Sequence, residues 1–175
     1  MASKVVIKNR QVVEEPYTWQ LLEEGQDPLG AQVDYLLVPL GRASSLGAGA
    51  LPRGARATGL YLTGDDDPAL ARPFFEHVDA IAIAFPRFAD GRGYSVARLL
   101  RERHGWKGEL RATGQILHDQ LNYLHRCGFD VLELQEGKDA QRALDAFKDF
   151  SVTYQPAADD EHPIYFEERP APASR

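Results

Sequence analysis

The segment Phe85-Pro86-Arg87-Phe88-Ala89-Asp90-Gly91-Arg92-Gly93-Tyr94-Ser95 gathers the residue types best suited to hold an anion. It joins the carboxyl end of an apolar run to the start of a helical pattern, and in α/β sheets that edge is where ligands meet unpaired amides. Gly91 and Gly93 let a backbone come close to a ligand, Arg87 and Arg92 bring positive charge, and Ser95 can cap the helix or donate to the same anion. Sulfite, phosphate or a carboxylate suits such a loop, with Asp90 or Tyr94 to move a proton. The same residues also make an ordinary tight turn, in which Asp90 bonds its own backbone and Arg92 pairs with a carboxylate. Gly91-Arg92-Gly93 begins like a dinucleotide fingerprint, but Val96 stands where the third glycine belongs and no acidic residue ends the next strand. A nicotinamide site is not expected.

A second candidate is the run from Gly108 to Gly114, a strand whose alternate members Glu109 and Arg111 project to one side of the sheet. Gln115, His118 and Asp119 follow within one helical turn and can complete a polar pocket with Arg92. A structural salt bridge between Glu109 and an arginine is the plainer reading. His118 and His125 lie about 10 Å apart along a helix, too far to share a metal, so no metal site is indicated. Cys127, just before Gly128 at a helix end, is read as a packing residue, because the negative end of the helix dipole raises a thiol pKa.

The elements that must position these residues alternate. Residues 5–7 and 11–13 are short apolar runs around Lys8-Asn9-Arg10, which predicts a β-hairpin with Asn9 in its turn, read as a small appendage. Residues 35–40 form an apolar strand, and the stretch 41–59, rich in Gly, Ala, Ser and Arg, is a weak helix or a mobile loop. Apolar strands at 60–62, 80–85, 110–113, 131–134 and 152–154 then alternate with helical periods. Asp67-Pro68 is a helix start that Pro73 ends or kinks; Gly105 and Gly128 suit C-caps and Asp139 an N-cap. The pattern predicts an α/β fold: a mainly parallel sheet of about six βα units, open or half-barrel-like, with a doubly wound sandwich as the alternative. The domain reading is one α/β domain over residues 1–155, hairpin included. Beyond it lies a Pro- and acid-rich tail, 156–175, which Ile164, Tyr165 and Phe166 can dock.

At 175 residues the chain fits one domain of ordinary size. Its 43% apolar and 26% charged shares are those of a globular protein, and no apolar run nears the roughly 20 residues of a membrane helix. The amino terminus lacks a secretory pattern, so the expected compartment is the cytoplasm. A formal net charge of −6 opposes nucleic-acid binding. One cysteine forms no internal disulfide and no cysteine-rich cluster, and no flavin, nicotinamide or haem motif is present, so no cofactor is expected.

The runs FPRFADGRGYSVARLLRERHGWKGELRATG, LHDQLNYLHRCGFDVLEL and FSVTYQ together resemble bacterial domain-of-unknown-function family 934, whose label is an oxidoreductase involved in sulfite reduction. The resemblance spans most of the chain. Its genes usually neighbour one for a haem-containing sulfite or nitrite reductase, which implies a role in sulfur assimilation and that haemoprotein as a partner. Ala89, Gln115 and His118 depart from the common Thr, Asp and Arg. Two readings follow from the resemblance and the residues together. One is an oxidoreductase that binds a small oxyanion through Arg87, Gly91, Arg92, Gly93 and Ser95, with Glu109, Arg111 and Asp119 completing the pocket and Asp90 or Tyr94 catalytic. The other is a non-catalytic accessory protein that docks on the reductase through the arginine-rich helix after Tyr94, Arg101 included.

Overall fold

The structure is a computed structural model that describes residues 3–31, 33–52, 55–135, 137–148 and 156–158, without the side chain of Leu29. The expected strand at 152–154, the docking residues Ile164, Tyr165 and Phe166, and most of the 156–175 tail lie outside the described residues.

Among the described residues, one mixed sheet of eight strands organises the fold. Its strands are β1 (Lys4–Lys8), β2 (Gln11–Glu15), β3 (Gln20–Leu21), β4 (Tyr35–Pro39), β5 (Ala57–Leu62), β6 (Ala80–Phe85), β7 (Glu109–Gly114) and β8 (Val131–Leu132), in the order β2-β1-β8-β7-β6-β5-β4-β3. The strands β3 to β8 run parallel, and β1 joins β8 antiparallel, with Ile7 opposite Leu132. The hairpin is therefore part of the main sheet and not an appendage: Val6 and Ile7 are fully buried. Its turn places Asn9 at φ 49° and Arg10 at φ 62°, the left-handed pair that matches the twist of two adjoining strands.

Consecutive parallel strands joined by right-handed crossovers put every crossover on the same face. A doubly wound sheet needs a reversal of strand order, and β3 to β8 show none, so the half-barrel-like form holds and the doubly wound alternative does not. On the covered face, Leu36, Val38, Leu60, Leu62, Ile81, Ile83, Phe85, Leu110 and Ala112 pack with residues of the crossovers, among them Ala43, Phe74, Val96, Leu100, Leu121 and Leu124. Burying a Leu, Ile or Phe side chain contributes about 1.5–3 kcal/mol, so this face holds most of the apolar stabilisation.

The crossovers include α1 (Leu40–Leu46), α2 (Arg92–Arg98) and α3 (Leu121–Arg126), and α4 (Ala140–Ala143) follows β8. The Gly- and Ala-rich stretch after β4 thus opens as a short helix, followed by a 3-10 turn at Ala48–Ala50. Asp67 accepts from the Ala69 amide and starts the 3-10 stretch Pro68–His77, which carries Pro73 inside it. Asp139 caps α4 by accepting from the Gln141 and Arg142 amides. Gly105 and Gly128 adopt φ 73° and 99°, as C-caps require. The second face of the sheet mixes small and apolar residues, among them Leu37, Ala80, Ala82 and Val131, with the charged side chains of Glu109, Arg111 and Glu133. The segment following β2 lies over it: Trp19 packs on Gly59 and Tyr35, Tyr17 stacks on Tyr35 at 3.9 Å, and Arg111 lies within 5.9 Å of the Trp19 ring centre.

Candidate functional site

β6 is buried along its whole length and releases the chain at Phe85 into an exposed loop, 86–91, at the carboxyl edge of the parallel strands. The Asp90 amide donates to the Arg87 carbonyl at 3.0 Å, so the loop closes as a turn before α2. Neither Gly91 nor Gly93 occupies the left-handed region. Gly93 is required for packing, since a Cβ there would lie 2.7 Å from the Phe85 ring; its missing side chain brings α2 close to β6, not the backbone close to a ligand.

Arg92 is held between two acids. Its Nε and Nη2 donate to the two carboxylate oxygens of Asp90 at 2.9 and 2.7 Å, and Nη1 pairs with Asp65 on the loop after β5. The Arg92 hydrogen bond holds the Asp90 carboxyl down at about 2, and the same bond pushes the guanidinium pKa further up. Ser95 is exposed within α2 and does not cap it; Asp90 Oδ1 instead accepts from the Arg92 amide at 3.3 Å. Arg87 is exposed and forms no ion pair among the described residues.

Tyr94 is half-buried, 5.2 Å from the Phe85 ring and 5.0 Å from that of Tyr123. Burial raises its phenol pKa, with a hydrogen bond to Gln120 acting against it. Gln120 is a residue that the sequence reading left without a role. Its Oε1 accepts from the Leu117 amide at 3.0 Å and its Nε2 donates to the Phe88 carbonyl at 3.3 Å, tying the loop after β7 to the loop after β6. Asp119, next to it in the 3-10 turn His118–Gln120, is exposed. Around these tied loops Phe88 and Tyr123 remain 49% and 52% exposed.

Arg111 is elsewhere, fully buried on the second face of the sheet. Its Nε donates to Glu133 at 3.0 Å, Nη1 to Glu15 at 3.0 Å and Glu109 at 2.7 Å, and Nη2 to Glu15 at 2.7 Å and Glu133 at 2.9 Å. A guanidinium has five N–H donors, and all are engaged. Lys8 pairs with Glu109 at 2.7 Å and Lys4 with Glu133 at 2.6 Å. Burial acts to lower the Arg111 pKa, yet the bonds to Glu15 and the charge of Glu133 outweigh it and the value rises. Burial likewise opposes the charged forms of Glu109 and Glu133, but their cations win and hold both below the usual carboxylate range. The expected Glu109–Arg111 pair exists, but as one side of a network, and it does not join Arg92 in a pocket.

Arg101 is also structural: it donates to the Gly128, Trp106 and Gly108 carbonyls at 2.8–2.9 Å and pairs with Asp130 at 2.6 Å. Its guanidinium is thus engaged within the fold. Cys127 is buried, and burial lifts its thiol to about 11, in keeping with a packing role. Among the described residues no cluster of His, Cys, Asp or Glu is placed to hold a metal ion, and no helix is long and apolar enough to cross a membrane.

Residues 59–165, more than half of the chain, match the model of a family described as a bacterial protein of unknown function, DUF934. No curated protein matches the chain.

Proposed function

The chain belongs to this bacterial family of unknown function, and from that premise we propose that it is a cytoplasmic accessory protein of sulfur assimilation, non-catalytic, that docks on a haem-containing sulfite or nitrite reductase. One observation carries the reading: of the cations suited to substrate chemistry, Arg92 and Arg111 are neutralised within the fold, while Phe88 of the Arg92 loop and Tyr123 stay in solvent. Arg111 has no donor left and Arg92 is shared between Asp90 and Asp65. Phe88 and Tyr123 stand exposed at the same corner, held in place by Gln120 and Tyr94. Exposed aromatic groups with nearby arginines, here Arg87 and Arg98, have the composition of protein interfaces.

A second reading, an oxidoreductase of sulfite reduction that binds a small oxyanion at the Asp90–Ser95 loop, draws on the exposed Arg87. It requires the anion to displace Asp90 or Asp65 from Arg92, exchanging one negative partner for another.

Co-purification of the chain with the reductase tests the first reading, together with sulfite turnover with and without the chain and an absorbance spectrum of the chain alone. The expected result is a stable complex that Phe88→Glu and Tyr123→Glu abolish, turnover that depends on the chain, and a colourless chain. A coloured chain, or turnover without the reductase, would replace the docking reading with the enzymatic one.

A further inference from the structure

The carboxyl end of β8 opens into two adjoining clefts, of about 620 and 510 Å³, which share Leu134, Gly137 and Lys138. The larger has an apolar floor of Leu134, Ala143 and Ala146, and its rim carries Lys138, Arg142 and His118. Its volume is that of a small-ligand site, and it lies at the strand ends where parallel sheets bind ligands.

The acids around the larger cleft already have partners. Asp139 accepts from the Gln141 and Arg142 amides, and Asp145 pairs with Lys148 at 2.8 Å. In the adjoining cleft, Glu133 is bonded to Arg111, Lys4 and Thr113. Lys138 and Arg142 form no ion pair among the described residues. Lys138 and Arg142, neither of them in an ion pair among the described residues, therefore stand at the rim of an apolar hollow beside Asp139, held as a helix cap, and Asp145, which is paired to Lys148 and also lies within electrostatic reach of Arg142.

We propose that this cleft binds a small organic anion, its apolar body on Leu134, Ala143 and Ala146 and its oxyanion head between Lys138 and Arg142, with His118 as a further polar contact. The charge pattern asks for an oxyanion, and the floor asks for more than a bare inorganic ion. The site is separate from the docking face, so either can stand without the other.

The test is a ¹H–¹⁵N titration of the full chain with phenyl phosphate, phenylacetate and inorganic phosphate. Phenyl phosphate or phenylacetate should give saturable shifts at the amides of residue 118 and residues 134–146, and whichever is tighter identifies the head group. Inorganic phosphate should bind at least about tenfold more weakly, because it leaves the apolar floor uncovered. Lys138→Glu and Arg142→Glu, both at exposed positions, should each weaken the tighter probe about tenfold or more, whereas Phe88→Glu should leave it unchanged. Shifts that do not saturate, that map elsewhere, or that survive both charge reversals would overturn the proposal.

Discussion

Replacing Arg111 by methionine keeps an unbranched apolar stem and removes the guanidinium that three carboxylates share. The loss is unequal. Glu109 keeps Lys8 at 2.7 Å, and Glu133 keeps Lys4 at 2.6 Å and Thr113 at 3.1 Å. Glu15, 3% exposed, keeps among the described residues the hydrogen bond from the Tyr17 hydroxyl at 3.3 Å and the more distant charge of Lys8. Removing one partner of a buried ion pair costs about 3–5 kcal/mol, and here the cost falls mostly on Glu15 and on the docking of the hairpin. With a urea m-value of roughly 2 kcal/mol/M, the unfolding midpoint should drop by about 1.5–2.5 M. The second substitution in Arg111→Met/Glu15→Gln should recover about 1–2 kcal/mol, because it removes the stranded charge. The sign with pH follows from the same network. In the parent chain Glu109 and Glu133 lie below their ordinary 4.5, so their contribution is complete above pH 4.5 and is lost as pH falls through the folded values. In the variant, burial no longer opposed by the guanidinium disfavours the charged forms of Glu109 and Glu133, and protonation relieves the penalty as pH falls. Urea unfolding of both proteins between about pH 7.5 and 5 should therefore show the gap between them narrowing. A gap under about 1 kcal/mol at pH 7, or one that does not change with pH, would refute the assignment of Arg111 as the hub of a charged, buried network.

Two further outcomes are expected. NMR titration should place the Asp90 carboxyl at about 2, and Arg92→Leu should return it toward 3.8; a parent value near 3.8 would mean that the Arg92 clasp does not form in solution. Cys127, with its thiol at about 11, should react with iodoacetamide at pH 8 at least about a hundredfold more slowly than glutathione, and at an ordinary rate only in urea, whereas a rate within tenfold of glutathione would contradict its burial.

The parallel strands were legible because strands buried on one face by helices read as nearly continuous apolar runs, as residues 80–85 do. β3 was not: its two residues, Gln20 and Leu21, are both exposed, and only pairing with β4 makes them a strand. The hairpin was visible through Asn9, but its place was not, because antiparallel pairing of Ile7 with Leu132 leaves no local trace. The same limit governs the charged network. Glu109 and Arg111 are two residues apart and could be paired by strand alternation, whereas Glu15 lies 96 residues from Arg111 and Glu133 lies 22 away. An acid inside the apolar run 131–134 was the available signal, since a buried carboxylate demands a cation. In the loop 86–91 the tight-turn reading agrees with the structure, Asp90 bonding local backbone and Arg92 pairing with a carboxylate, but the second partner left no local trace: Asp65 sits in a different loop, and Phe85, not a ligand, is what makes Gly93 necessary.

Consecutive strand order also bears on where binding can occur. Without a reversal point, the sheet lacks the crevice that a doubly wound fold opens between diverging crossovers, so binding is left to the loops at the carboxyl ends of the strands. Along that edge the loops after β5 and β6 are joined by Arg92, and those after β6 and β7 by Gln120. Loops tied to one another in this way present a fixed outer surface, which suits a protein partner that must be met in one geometry. The edge opens after β8, where the next loop leads to the short helix α4 and the clefts lie. On the two proposals, a docking face and a small-ligand cleft divide one sheet edge between them, and the clasps of Arg92 and Gln120 set the boundary.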